Sequence, residues 1–212
     1  MMAPNFANKD SIWCLRIIAT FHADNYSRVW KGRIMTGIRK RLESELRRLA
    51  DGPLPSEQIG GIGTVRFIAR CTGDASDILE RVKQILIIID TESIAGWPAE
   101  DEWKNILPNW FVSVCAPSRT REQAEQWVTW WKTLPPDEQA RVKKEKKWAL
   151  DDWLYWMQPD NRQWFWWDAK ALEDVTSIVV AVEVDGWPFP WGALRWLFIA
   201  AGAIDLNAEA EE

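Results

Sequence analysis

Histidine is nearly absent from this sequence, with one residue in 212, and cysteine is scarce, with three. Those counts leave too few soft ligands for a dedicated zinc site. Cys14, Cys71 and Cys115 are an odd number set far apart, a usage that suits reduced thiols. An excess of positive charge is also missing: 26 Lys and Arg face 31 Asp and Glu, a net of −5. That balance argues against a general nucleic-acid binder, because neutralising phosphates takes a basic surface. The longest apolar stretches, around Ile85–Ile89 and Trp196–Ile204, fall well short of the roughly 20 residues that span a bilayer. Met1–Asp10 lacks the basic start and apolar core of a signal peptide. The expectation is a soluble cytoplasmic protein with no membrane or nucleic-acid partner, no metal and no cofactor.

Tryptophan is what the chain has in excess: 17 residues, beside two Tyr and seven Phe. Residues 1–95 hold 14 basic and 11 acidic side chains, a net of +3, with two Trp. Residues 96–212 hold 12 basic and 20 acidic side chains, a net of −8, with the other 15 Trp. The length fits one domain over 1–212. Two strand–helix halves, 1–95 and 96–204, are the alternative division, followed by an acidic tail over 205–212.

Alternating apolar residues make Ile12–Phe21 a strand, and helical spacing of Ile34, Ile38, Leu42, Leu46 and Leu49 makes Arg28–Ala50 a helix. Asp51–Pro55 ends it. Gly60–Gly63 reads as a turn before a strand over Thr64–Arg70, and Ser76–Leu86 as a helix, with the β-branched run Ile87–Ile89 able to open a strand. Trp110–Cys115 reads as a strand. Thr120 and Gln123 form a capping-box pattern opening a helix to about Leu134, and Pro135-Pro136-Asp137 starts another to about Met157. Thr176–Val184 is the clearest strand, Trp191–Ala201 a final helix, and Asp205–Glu212 a frayed tail. Without regular βαβ alternation, the expected class is α+β, a mixed or antiparallel sheet of about four to six strands packed with several helices. Gly96-Trp97-Pro98 and Gly186-Trp187-Pro188, about 90 residues apart, would fit two copies of a strand–turn–helix unit.

Three patterns resemble catalytic motifs. Cys115 and Arg121 have the C-x5-R spacing of phosphatase loops, where a low-pKa thiolate sits in a nest of backbone N–H groups. Against it, Pro117 removes a donor, no Gly lets the loop curl, and Glu122 would repel an anion. Asp137 with Glu145-Lys146-Lys147 mimics a nuclease metal signature but lies in a charged run, Arg141–Lys147, that reads as a solvated helix face. The Gly60–Gly63 turn precedes a strand, whereas a phosphate cradle follows one, and His22 has no evident nucleophile partner. No catalytic residue is assigned.

Helical spacing makes Trp127, Trp130 or Trp131 with Leu134 a core stripe, and Ala149, Trp153 and Trp156 another. Trp164-Phe165-Trp166-Trp167 places rings on both faces of an extended segment, so at least one ring should be accessible. That cluster would also suit a carbohydrate-binding module. Trp148, Trp153 and Trp156 surround Asp151 and Asp152, and Pro98–Trp103 again mixes a ring with carboxylates. Such pairings suit interfaces, where Trp anchors and carboxylates steer a basic partner.

The stretch Val182–Ala203 (VEVDGWPFPWGALRWLFIAAGA), in a small, acidic, Trp-rich α+β chain, resembles the closing element of immunity proteins of bacterial polymorphic-toxin and type VI secretion systems. It is somewhat similar to the immunity protein 52 family, which is associated with restriction-like nuclease toxins. The resemblance implies stoichiometric blockade of a cognate toxin with a basic surface. On that reading Asp101, Glu102, Asp151, Asp152 and Asp185 supply charge, and Trp103, Trp156 and Trp166 supply anchors.

Overall fold

A computed structural model describes residues 28–172 and 176–209, apart from the side chains of 28–36 and 143–144. The expected strand Ile12–Phe21, with Cys14, and His22 beyond it lie outside the described residues, as does the side chain of Ile34. The chain divides into two compact units: residues 37–118 with 145–212 form one, and Arg119–Lys144 belongs to the other, with the residues up to Thr36.

The fold is α+β, with eight helices and a four-stranded antiparallel sheet among the described residues. The elements are α1 (Arg28–Asp51), β1 (Gly63–Cys71), α2 (Ala75–Ala95), α3 (Trp103–Ile106), α4 (Asn109–Val112) and α5 (Arg121–Thr133), then α6 (Pro136–Glu145), α7 (Leu150–Met157), β2 (Trp164–Ala171), β3 (Ser177–Val184), α8 (Gly192–Ala201) and β4 (Ala203–Ala208). The strand order is β2-β3-β1-β4. β1, which precedes residue 96, thus lies between β3 and β4, which follow it, so the two sequence halves share one sheet.

Period-two alternation sets the inner face of that sheet. Phe67, Ala69 and Cys71 from β1 join Ile178, Val180, Val182 and Val184 from β3, all buried. Helices α2 and α8 supply the facing layer, Ile78, Val82, Ile85, Leu86 and Ile89 from one and Leu194, Leu197, Phe198 and Ala201 from the other. Asp74 caps α2, its carboxylate accepting from Ser76 N–H at 2.7 Å. The run Ile87–Ile89 stays helical and α2 continues to Ala95, because Ile85, Leu86 and Ile89 extend the buried 3.6-residue stripe of Ile78 and Val82, while Ile87 stays exposed.

Strand β2 is an edge, and it carries the Trp cluster. Trp164 and Trp166 pair with Val184 and Val182, which puts them on the inner face, and Phe165 points the other way. All three are buried at 1% exposure. Phe165 is covered by the Arg41 guanidinium, 3.8 Å from its centroid, and by Arg162 at 4.7 Å. The register shifts between Trp166 and Asp168, so Trp167 is a bulged residue. Helix α1 closes this edge: Glu45 accepts from Trp166 N–H at 2.6 Å, and Arg48 Nε donates to Trp166 O at 2.8 Å. Two helix side chains thereby replace a missing strand and protect an edge that would otherwise template aggregation.

The sheet end near α1 needs glycine. A Cβ on Gly61, whose φ is +57°, would lie 2.1 Å from Val184 O, and one on Gly60 would lie 2.7 Å from Glu183 Oε1.

Several local expectations are corrected. Trp110–Cys115 is not a strand: α4 forms there, one turn that seats Phe111 against Trp153 at 4.7 Å, tertiary packing overriding β propensity. The helix expected from Pro136 to Met157 is two, α6 and α7. Between them Ala116 N–H donates to Trp148 O at 2.8 Å and Ala116 bridges Ala149, which requires extended chain. Asp205–Ala208 of the expected acidic tail instead belong to strand β4 (Ala203–Ala208), paired with β1, and residues 210–212 lie outside the described residues. Arg195 neutralises Asp205 through bonds of 3.1 and 3.0 Å, and Leu206 is fully buried. The two Gly-Trp-Pro segments are not copies, since the first follows helix α2 and the second follows strand β3.

In the smaller unit, α5 carries the expected capping box, Thr120 Oγ1 accepting from Gln123 N–H and Gln123 accepting from Thr120 N–H. Its tryptophans are not core: no α5 residue is buried and Trp130 is 47% exposed. Trp127 and Trp131 stack on each other, 6.3 Å apart and 15° from parallel.

Candidate functional site

The C-x5-R pattern loses its chemistry in the folded chain. Burial pushes the Cys115 thiol up to about 11, against the weaker opposing effect of the Trp196 indole, and its Sγ lies 3.4 Å from Phe111 O. Arg121 is occupied by Glu125 at 3.0 Å on an exposed helix face. At neutral pH only about one Cys115 in ten thousand would be thiolate, from the gap between pH and pKa. Alkylation by iodoacetamide is therefore expected to be slow near neutral pH and to accelerate only as the pH approaches the thiol's value. Rapid labelling at neutral pH, followed by mass spectrometry, would contradict this.

Among the carboxylates expected to meet a partner, the structure brings Asp101 and Asp151 together. They line one depression of about 240 Å³ with Glu100, Lys104, Ser118 and Leu150. Glu100 and Asp101 come from the loop before α3, where Glu102 accepts from Ala99 N–H at 2.8 Å and holds the turn. Asp151 lies in the first turn of α7 with Asp152, the end where the helix dipole favours negative charge. Ser118 Oγ donates to Asp151 Oδ1 at 2.9 Å, fixing that carboxylate at the rim. Trp156 follows on α7, half-buried, with its ring edge-to-face against Tyr155 at 5.4 Å. Leu150 gives the depression an apolar lining amid the charge.

The other site residues do not join it. Trp103 is fully buried, packed on Trp97 at 4.7 Å, and Trp166 lies in the core at 1% exposure, so neither ring can anchor a partner directly. The sheet and the α1 side chains consume both faces of the Trp164–Trp166 segment. No ring face of Trp164, Phe165 or Trp166 is open for a sugar, and Trp167 is only half-buried. Asp185 is exposed but already paired: Arg41 Nη1 reaches its two oxygens at 2.7 and 2.9 Å and Arg41 Nη2 reaches Glu183 at 2.5 Å.

Four liners, Glu100, Lys104, Ser118 and Leu150, were not singled out by sequence, although Glu100 lies within the acidic run Pro98–Trp103. The exposed aromatic that spacing missed is Trp187, 52% exposed and seated on Phe189 at 5.6 Å. The Gly-Trp-Pro turn that presents it was the available signal. Charge follows the folded units rather than the sequence halves. The unit of 37–118 and 145–212 holds 15 basic and 25 acidic side chains, a net of −10, and the other holds 11 basic and 6 acidic, a net of +5. Among the described residues, no group of three or more His, Cys, Asp or Glu is placed to hold a metal ion, and no helix is long and apolar enough to cross a membrane. Compared with protein-family models, curated proteins and solved structures, the chain matches none.

Proposed function

We propose that this protein binds a basic protein partner and blocks it stoichiometrically, as an immunity protein does for its cognate toxin, a nuclease being the class implied by the resemblance. The observation that carries the reading is the meeting of Glu100, Asp101 and Asp151, from segments 50 residues apart in sequence, at one depression on the acidic unit. Carboxylates fixed at an open rim attract Lys and Arg over a Debye length of about 8 Å and speed capture of a basic surface. A toxin entering the cell would have to be met quickly, which is what such steering supplies.

The test pairs the purified protein with the purified product of the adjacent gene. Asp101→Lys with Asp151→Lys is expected to slow association at low salt by about tenfold or more; the second change also loses the Ser118 bond and the negative charge favoured at the α7 N-terminus, so the melting temperature should fall by a few degrees while the protein stays folded. An unchanged association rate would remove this depression from the interface. Failure of the parent protein to bind that product at all would count against the immunity reading as a whole.

A further inference from the structure

Among the described residues, the most enclosed charges lie between α1, α2 and the start of β2. Glu45, Asp90 and Arg162 each have no solvent-exposed side-chain surface. Arg162 Nη2 bonds both carboxylates, Glu45 Oε2 at 2.5 Å and Asp90 Oδ1 at 3.0 Å. Two carboxylate oxygens on one nitrogen are themselves close neighbours, and no donor faces the other Asp90 oxygen, Oδ2. The rings of Trp164 and Phe165 lie against the guanidinium, 5.4 and 4.7 Å from its carbon. We propose that Glu45 and Asp90 share one proton over Arg162, and that this proton holds α1 against the free edge of β2.

The chemistry follows from the contacts. Two ionised carboxylates touching in a dry site repel, and a carboxylic acid donating to a carboxylate does not. Asp90 holds the proton and donates; Glu45 remains ionised, accepting from Asp90, Arg162 and Trp166 N–H. Burial raises Asp90 well above the usual carboxylate range, Glu45 adds to the rise, and Arg162 opposes it. Burial also raises Glu45, against Arg162, the Trp166 N–H and Arg48. The remaining charges that face the cluster belong to a second group: Arg48 bonds Glu57 Oε1 at 2.8 Å and Arg47 pairs with the same carboxylate. Burial opposes ionisation of Glu57, but the Leu54 N–H with Arg47 and Arg48 pulls it below its ordinary value.

The two groups therefore act at opposite ends of the pH range. The native state binds the Glu45–Asp90 proton more tightly than the unfolded chain does. Its contribution is complete below the ordinary carboxylate range and is lost as pH rises through the raised folded value. Glu57 has the reverse sign and its contribution is lost only on acidification. Because Glu45 bonds both the proton and Trp166 N–H, deprotonation should be felt first where α1 covers β2.

The experiment follows Trp166 amide hydrogen exchange and urea stability from mildly acidic to mildly alkaline pH, in the parent, Asp90→Asn and Glu45→Gln. Asp90→Asn keeps a donor to Glu45 without a titrating proton; Glu45→Gln also removes the titration, but its amide nitrogen replaces an oxygen that accepts from Arg162 or Trp166 N–H, so its Trp166 exchange is compared for pH dependence alone. The parent is expected to lose stability towards alkaline pH and to open at Trp166 faster than base-catalysed exchange alone accounts for, with both effects absent in the variants. Identical pH profiles in parent and variants would overturn the proposal. Infrared spectroscopy of the parent decides the matter if neither variant folds: a protonated-carboxyl band at neutral pH is expected, and its absence refutes the shared proton.

Discussion

Arg162→Met is expected to lower stability by about 3–5 kcal/mol, the cost of leaving buried carboxylates without their counter-charge. For a protein of this size that is a fall of roughly 6–20 °C in melting temperature, readable by circular dichroism. The cause is specific: Arg162 is the group that both Glu45 and Asp90 bond, and although burial works against its charge, the Glu45 carboxylate together with the hydrogen bonds to both side chains more than offsets that. Combining Arg162→Met with Glu45→Gln and Asp90→Asn should recover much of the loss, because the uncharged trio needs no counter-ion. A single variant within about 1 kcal/mol of the parent would mean that the cluster is solvated or rearranged, and the account of the β2 edge would fall with it.

Trp166→Ala and Trp103→Ala should each cost about 3–5 kcal/mol, as large-to-small changes in a close-packed core do. Both rings are at or below 1% exposure. Any loss of partner binding in these variants would therefore follow the loss of folded protein, and should be restored at lower temperature. Trp187→Ala, at 52% exposure, should stay within about 0.5 kcal/mol of the parent. Parallel thermal melts and binding measurements separate the two cases. A Trp103→Ala variant that melts with the parent yet fails to bind would return that ring to the interface.

Much of the fold was legible because one period dominated each segment. The α1 stripe, the β1 and β3 alternations, the α5 capping box and the apolar α8 all announced themselves locally. Elements that depended on distant partners did not. β4 exists because Arg195 neutralises Asp205 and β1 offers an edge, and neither fact is visible in a run that ends in acidic residues. The one-turn α4 depends on a pocket beside Trp153. Trp166, read as an anchor, has the same origin: in the run Trp164–Trp167 the sheet buries the inner rings while Arg41 and Arg162 cover Phe165 on the outer face, which leaves Trp167 as the half-buried ring. Of the site, the acidic run before Trp103 and the Asp pair opening α7 were legible as charge. Their convergence was not, because Ser118 and the Ala116–Trp148 contact that bring the segments together are invisible to spacing. Glu45 was the missed signal with the clearest trace, a carboxylate set three residues after Leu42 and four before Leu49, in phase with the apolar stripe.

The clamp of Glu45 and Arg48 on Trp166 also imposes an order in time. Its partners stand 121 and 118 residues apart, and the central strand β1 is flanked by two strands made after it. On a ribosome adding about 5–20 residues per second, α1 would wait roughly 6–24 seconds for the Trp166 backbone that Glu45 and Arg48 bond. One edge of β1 could close only after β3 had emerged, and the other only after β4. The sheet thus cannot begin to form until more than a hundred residues beyond β1 have been made, and over that interval neither strand partner of β1 exists in the nascent chain.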